Sequence, residues 1–265
     1  EIKERIQILG NSGEYDFVIT EIGGTVGDIE SLPYIEAVRQ MMWEFRRNTL
    51  VIHLTLIPYL KAAGELKTKP TQHSVKQLLE LGVQPDILVC RSEYHLDRAM
   101  RKKIALFCNV EPTAVIESVD ASSIYEVPLL MQEEELDKVV LEKLNLPHDG
   151  EANLTEWKKY LDRIKNPKSQ ITIGLVGKYI ELKDSYKSII EGFNHAGASN
   201  ECQVNIEWIH SEKLHEENVA FRLKELDGIL VAPGFGSRGI DGKILAIQYA
   251  RENDIPFFGI CLGMQ

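Results

Sequence analysis

The residues with the strongest claim to chemistry lie late in this 265-residue chain, in Pro256-Phe-Phe-Gly259-Ile-Cys261-Leu-Gly263-Met-Gln265. An apolar strand runs straight into Gly-x-Cys-x-Gly, the spacing of a nucleophile elbow. Such a strand-to-helix turn has no room for side chains on its flanks, and it lifts the thiol clear of the sheet. A helix starting just after Cys261 would favour the thiolate through its positive N-terminal end. The competing reading is a buried cysteine beside two packing glycines. Cys90 and Cys108 sit in apolar strand and helix surroundings, those of small core residues. A thiolate that attacks a carbonyl needs an oxyanion hole. The loop Ala232-Pro-Gly-Phe-Gly-Ser-Arg-Gly239 can supply N–H groups, with Gly234 and the amide of Leu262 as the expected donors, or it is a glycine-rich turn without a ligand. A general base is expected later in the chain than the elbow, beyond Gln265.

A second group of residues suits phosphate. Gly64-Glu-Leu-Lys67-Thr-Lys69-Pro-Thr-Gln72-His-Ser74 places two lysines, hydroxyls and free helix N–H groups on one loop. Solvated lysines on an exposed loop explain the same spacing. Glu21 and the pair Asp28 and Glu30 present carboxylates that can hold Mg²⁺ or sugar hydroxyls, or can serve as helix caps and surface charges.

These groups need a scaffold, and the chain alternates strand and helix throughout. Expected strands are Asp16 to Glu21, Leu50 to Leu56, Asp86 to Arg91 and Ala114 to Glu117. Expected helices are one that Ser31 caps, Ser74 to Leu81, and the basic Asp97 to Phe107. An acidic amphipathic stretch from Met131 to Asn145 closes this unit. Pro147-His-Asp-Gly-Glu-Ala-Asn153 then breaks the periodicity, and a linker helix spans Trp157 to Ile164. The second unit has strands at Ile171 to Val176, Val204 to Ile209, Gly228 to Ala232 and Pro256 to Gly259. Its helices are expected at Tyr186 to Ala198, Val219 to Leu226 and Lys243 to Glu252. Alternation of this kind implies an α/β fold with parallel sheets and ligands at the carboxyl ends of the strands.

Composition narrows the partners. Thirty Lys plus Arg against forty Asp plus Glu give a formal charge of -10, which opposes non-specific binding to nucleic acid or an anionic membrane. No apolar run reaches the roughly 18 residues of a membrane helix. The four scattered cysteines form no CxxC pair or disulfide framework, so a reducing cytoplasm is expected. With no initiating Met and an elbow at its end, the chain is expected to be an internal piece of a longer protein.

From Ile171 onward the sequence resembles the class I glutamine amidotransferase domain. The runs Glu21-Ile-Gly-Gly-Thr-Val-Gly-Asp28-Ile-Glu30, His53-Leu-Thr-Leu-Ile-Pro-Tyr59 and Lys67-Thr-Lys-Pro-Thr-Gln72 closely resemble the synthetase domain of the CTP synthase family. Val176-Gly-Lys-Tyr-Ile-Glu-Leu182 and the elbow extend that likeness. The resemblance implies a Rossmann-like synthetase domain over 1–146, a linker over 147–169 and a flavodoxin-like glutaminase domain over 170–265. Both are doubly wound parallel sheets, and both are expected to be incomplete. It implies ATP-dependent amination of UTP to CTP with ammonia from glutamine.

By motif, the resemblance makes Cys261 the nucleophile and Glu21 a Mg²⁺ ligand. Asp28, Ile29 and Glu30 become contacts for CTP, while Lys67, Thr68, Lys69, Pro70, Thr71 and Gln72 with Lys103 form the UTP and CTP phosphate site. Val119, Asp120 and Ala121 match the adenine segment of the ATP site, and Gly234, Leu262, Gly263, Met264 and Gln265 line the glutamine site. Lys178 to Lys187 resembles the lid loop associated with activation by GTP. A homotetramer, with filaments, is implied. So are a phosphate loop upstream, a pattern that does not occur in these 265 residues, and a His-x-Glu pair expected downstream of the elbow, beyond Gln265. One departure stands out: the family's Pro-Gly-Gly-Phe-Gly is Ala232-Pro-Gly-Phe-Gly236 here, so Pro233 removes one possible N–H donor and leaves Gly234 to serve. Two other readings fit much of the pattern, a non-catalytic CTP-sensing or filament-forming paralogue and an amidoligase with another acceptor. A sensor would not need the Cys261 thiol.

Overall fold

Apolar runs bounded by turn formers become the central strands, and the amphipathic stretches between them become the covering helices. The computed structural model describes residues 1–148 and 150–265, without the side chain of Lys183. It divides into two units, Glu1–Asn153 and Leu154–Gln265. Asp149, inside the linker expected over 147–169, lies outside the described residues.

The first unit runs α1 (Ile2–Ser12), α2 (Leu32–Phe45), β1 (Ile52–Ile57), β2 (Tyr59–Leu60), β3 (Glu65–Leu66), α3 (Lys69–Glu80), β4 (Ile87–Ser92), α4 (Arg98–Cys108), β5 (Val115–Val119), α5 (Val127–Glu133) and α6 (Leu136–Lys143). Strands β1, β4 and β5 form a parallel sheet in that order, with β4 central. On one face Ile57, Leu88 and Cys90 pack against Val75 of α3 and Ile104 and Cys108 of α4. On the other, Ile87, Val89 and Ile116 pack with Val139 of α6. Burial pushes the Cys90 thiol up to about 12 and the Cys108 thiol up to about 11, as expected of inert core cysteines.

Several expectations are corrected here. Asp16 to Glu21 forms no strand, pairing with nothing among the described residues, and Ile19 is 95% exposed. A short strand persists only when its ladder is paired and one face is buried. The expected buried strand at Leu50 to Leu56 is Ile52–Ile57, and it is covered on one face only. His53, Thr55 and Ile57 are buried, whereas Ile52, Leu54 and Leu56 are exposed, because the core on their side is built on β4 and β5. Helix α3 begins at Lys69 rather than Ser74, with Pro70 in its first turn, where a missing N–H costs nothing. Ser31 precedes α2 at the cap position, yet its hydroxyl donates to Asp28 O and caps no amide. The stretch Met131 to Asn145 is two helices, separated where Glu135 turns left-handed at φ 58°.

Helix α4 does carry a side-chain cap: Asp97 accepts a hydrogen bond from Met100 N–H at 2.7 Å. Asp97→Ala should lower stability by about 1 kcal/mol, read as a shift of the urea midpoint at constant m. An unmoved midpoint would show that the cap contributes nothing.

The second unit runs α7 (Thr155–Lys165), β6 (Ser169–Gly177), α8 (Lys187–Ser199), β7 (Cys202–His210), α9 (Val219–Leu223), β8 (Gly228–Val231), α10 (Ile240–Glu252) and β9 (Phe257–Gly259). Its sheet is parallel, in the order β7-β6-β8-β9. That is the flavodoxin-like arrangement, in which the chain reverses direction of winding between its first and third strands and leaves a crevice at their carboxyl ends. Helix α7, read from sequence as part of a linker, lies on α8, with the Tyr160 and His195 rings 5.8 Å apart. One core cluster under α9 and α10 gathers Val176, Ile209, Leu223, Val231 and Ala246, and a second under α8 gathers Leu175, Tyr186 and Leu230.

Candidate active site at the strand ends

Cys261 follows β9 and adopts φ 54°, a left-handed backbone that a non-glycine residue takes only at a cost of about 1–2 kcal/mol. The flanks explain how the turn closes. A Cβ on Gly263 would stand 2.2 Å from Val231 O, and one on Gly259 would stand 2.3 Å from Gly263 O. Either is far inside contact distance, so both positions must be glycine. The Ile260 N–H donates to Val231 O at 3.0 Å, tying the elbow to the end of β8. Met264 and Gln265 donate to Cys261 O at 2.9 and 3.1 Å. Cys261–Gly263 form a tight 3-10 turn directly after the strand end. The thiol is half-buried, and among the described residues no imidazole or carboxylate hydrogen-bonds to it.

The next strand end supplies the glycine-rich loop. Ala232 N–H donates to Val176 O at 2.9 Å, so the loop leaves from the edge of the crevice between β6 and β8. Gly234 turns at φ 135° and Gly236 at φ 93°. Among the described residues the amides of Gly234, Phe235, Gly236 and Leu262 donate to no protein acceptor. Gly234 and Leu262, the donors expected from sequence, therefore lie on adjacent strand ends with their N–H groups free.

Three residues here go beyond the sequence reading, which named Lys178 and Tyr186 only as parts of the lid-like segment Lys178 to Lys187 and gave Lys243 no role. Lys178, the first residue after β6, is 5% exposed and donates its ammonium to Phe235 O. Lys243 on α10 is 3% exposed and donates to Ala232 O at 2.8 Å. A signal for Lys243 existed: it shares the i, i+3, i+7 stripe of α10 with Ala246 and Ala250, both buried. Tyr186, 2% exposed, accepts hydrogen bonds on its hydroxyl from the amides of Lys178 and Tyr179, each at 3.2 Å. It thereby closes the segment Lys178 to Lys187. A largely apolar cavity of about 560 Å³ beside the elbow is lined by Tyr186, Ile189, Phe193, Pro233, Phe258 and Ile260.

In the first unit the basic residues gather at the carboxyl end of β1. Lys67, after the β2–β3 hairpin, pairs with Glu65, and that hydrogen bond holds the Glu65 carboxyl below its usual range, with the Lys103 charge of α4 adding to the effect. Lys67 and Lys103 therefore share one neighbourhood, and Lys69 and Pro70 are exposed in the first turn of α3. Thr68 and Thr71 are buried, and Thr71 donates to Leu56 O at 3.1 Å, which anchors the loop to β1. Gln72 donates its side-chain amide to Thr68 at 3.1 Å.

The acidic loop is placed elsewhere. Gly27 lies against Gln77 of α3, eight residues and about 12 Å along the helix axis from Lys69. Asp28 accepts from Thr25 N–H at 2.8 Å, while Glu21, Ile29 and Glu30 are exposed. The structure does not bring these three carboxylates together as a metal site. Among the described residues no group of three or more His, Cys, Asp or Glu is arranged to hold an ion. Val119 and Ala121 are half-buried at the end of β5, and Asp120 pairs with Arg91 at 2.9 Å.

A parallel sheet in flavodoxin order, a strained cysteine between two obligatory glycines and a glycine loop with free amides define an elbow-type α/β protein with a candidate acyl-transfer site. The family model described as "CTP synthase N-terminus" matches residues 1–146, and that described as "Glutamine amidotransferase class-I" matches residues 181–265. The chain belongs to the CTP synthase family. It is 65% identical to the CTP synthase of Christiangramia forsetii over 266 aligned positions, covering 100% of this chain and 49% of that protein. With the CTP synthase of Bacteroides fragilis it shares 57% identity, over 100% of this chain and 50% of that protein. The chain thus spans about half the length of the curated relatives it matches. A solved glutaminase domain of Trypanosoma brucei CTPS with bound acivicin is 40% identical, covers 36% of this chain and 38% of that one, and superimposes with a TM-score of 0.34. No helix is long and apolar enough to cross a membrane, among the described residues.

Proposed function

We propose that the protein, translated from its whole reading frame, makes CTP from UTP with ammonia released from glutamine. The observation that carries the reading is the left-handed Cys261 between two glycines that admit no side chain, beside free amides at Gly234 and Leu262. In this reading the Cys261 thiolate attacks the side-chain amide carbon of glutamine. The C–N bond breaks, ammonia leaves, and water hydrolyses the thioester to glutamate. The amides of Gly234 and Leu262 hold the oxyanion, Gly263, Met264 and Gln265 line the substrate, and the base is the His-x-Glu pair that the family resemblance implies.

At the other site ATP transfers its terminal phosphoryl group to the 4-oxygen of UTP. Ammonia displaces that phosphate, so UTP, ATP and ammonia become CTP, ADP and phosphate. Lys67 to Gln72 with Lys103 bind the UTP and CTP phosphates, Asp28, Ile29 and Glu30 bind CTP, and Val119, Asp120 and Ala121 bind adenine. Mg²⁺ accompanies ATP. Glu21 would be its one ligand from the described residues, which gather no group of three or more His, Cys, Asp or Glu around an ion. On the same reading GTP activates through Lys178 to Lys187, and the enzyme is a cytoplasmic homotetramer that also forms filaments.

Purified protein supplied with UTP, ATP, Mg²⁺ and glutamine should form CTP with equal amounts of ADP and glutamate. Glutamate released without CTP would instead identify an amidoligase for another acceptor, and neither product would identify the sensing paralogue.

A further inference from the structure

Two buried ammonium groups beside one glycine loop are not explained by the fold. Removing a lysine head from water costs several kcal/mol unless a partner compensates. Lys243 donates to a single carbonyl, Ala232 O, and among the described residues no carboxylate pairs with it. A methionine of similar volume would fill the site without a charge to desolvate, and in other proteins such replacements are commonly neutral or stabilising. Nor are the two lysines independent. Burial lowers the Lys243 pKa first, the Lys178 charge lowers it further, and the Cys261 charge acts in the opposite direction. Like charges held close together, with the elbow thiol within electrostatic reach, mark a place where local stability is given up for another purpose.

The hydrogen bonds indicate that purpose. Lys243 holds Ala232 O and Lys178 holds Phe235 O, so the Ala232–Pro233 and Phe235–Gly236 peptide groups, which bracket Gly234 one peptide away on each side, are pinned by their oxygens. In a planar peptide the N–H points opposite the C=O, so fixing the Phe235 carbonyl also fixes the direction of the Gly236 N–H. Gly234 itself, at φ 135°, has no side chain to hold it, and its missing Cβ is the space that the Lys178 stem fills, 2.9 Å from where that Cβ would stand. Pro233 in this loop contributes no N–H. The Gly236 N–H therefore owes its direction to Lys178, while Lys243 holds the other end of the segment that carries the Gly234 and Phe235 amides, so two cations from two different elements bracket the free amides of the loop.

We propose that Lys243 and Lys178 are positioning residues for amide hydrolysis at Cys261: their ammonium groups clamp both ends of the Ala232–Gly236 loop and fix its free amides for the oxyanion. This rests on the glutamine-hydrolysing reading given above. A donor that is misdirected weakens the transition state more than the ground state, so the loss falls on kcat.

The test uses protein from the whole reading frame, comparing wild type, Lys243→Met and Lys178→Met for glutamine hydrolysis, with thermal melting alongside. Expected for each variant is a kcat lower by about tenfold, at a glutamine KM within about twofold of wild type and a melting temperature that does not fall. Lys243→Arg, which keeps the charge and a donor, should recover part of the kcat lost in Lys243→Met. Unchanged kcat in both Met variants overturns the proposal, and so does a kcat loss that tracks a falling melting temperature, which would mark the lysines as structural. If Lys243→Met does not fold, Lys178→Met and Lys243→Arg decide the question by the same criteria. Wild-type protein that hydrolyses no glutamine overturns the functional reading itself, whatever the variants do.

Discussion

Cys261→Ala is expected to reduce glutamine-dependent CTP formation by a factor on the order of a thousand or more while leaving the ammonia-dependent rate within about twofold of wild type. The asymmetry follows from where the thiol sits. The elbow belongs to the second unit, at the end of β9, whereas the basic loop assigned to the nucleotide belongs to the first unit, at the end of β1. Alanine retains the Cβ and can take the same turn. Removing the thiol relieves no clash, because the contacts that close the turn are made by the backbones of Val231, Gly259 and Gly263. Ammonia added to the solution bypasses the elbow entirely. The measurement is CTP formation with each nitrogen donor at saturation. Parallel loss with glutamine and ammonia would refute the assignment of two separate chemical sites.

The second large effect is expected at the basic loop. Replacing Lys67 and Lys69 together by alanine should raise the apparent KM for UTP about a hundredfold, the product of two charge-assisted contacts worth about 1.4 kcal/mol each. Glutamine hydrolysis should be retained. Folding should survive, because the Lys67 pair with Glu65 is largely exposed and such pairs contribute little, while Thr71 still anchors the loop to β1. Lys103 would remain as the one cation of the group, so residual binding with a weaker salt dependence is the expected signature. An unchanged UTP KM would remove Lys67 to Gln72 from the nucleotide site.

Much of the second unit was legible because its signals are local. Gly-x-Cys-x-Gly after an apolar strand states a steric requirement within five residues, and the structure meets it with Cβ positions at 2.2 and 2.3 Å from carbonyl oxygens. The winding of strands and helices was equally local. What the sequence did not reveal depends on partners distant in the chain. Asp16 to Glu21 has the composition of a strand, yet pairing is decided by what lies beside it. The half-exposed state of β1 follows from helices that cover β4 and β5. Lys243 looks like one more surface lysine until α10 is docked and its stripe turns inward onto Ala232. Lys178 could be read as part of a lid, but its hold on Phe235 O crosses 57 residues of sequence. The start of α3 at Lys69 was available from Pro70, and the run of polar residues concealed it.

The two elbow glycines also constrain the gene. A glycine codon has no missense neighbour that leaves the α-carbon bare, so every amino-acid-changing base substitution at Gly259 or Gly263 sets a carbon against a carbonyl oxygen at 2.3 or 2.2 Å. Neighbouring surface helices can drift codon by codon. These two positions have no stepping stones, and a lineage that loses either one can regain the site only by reversion.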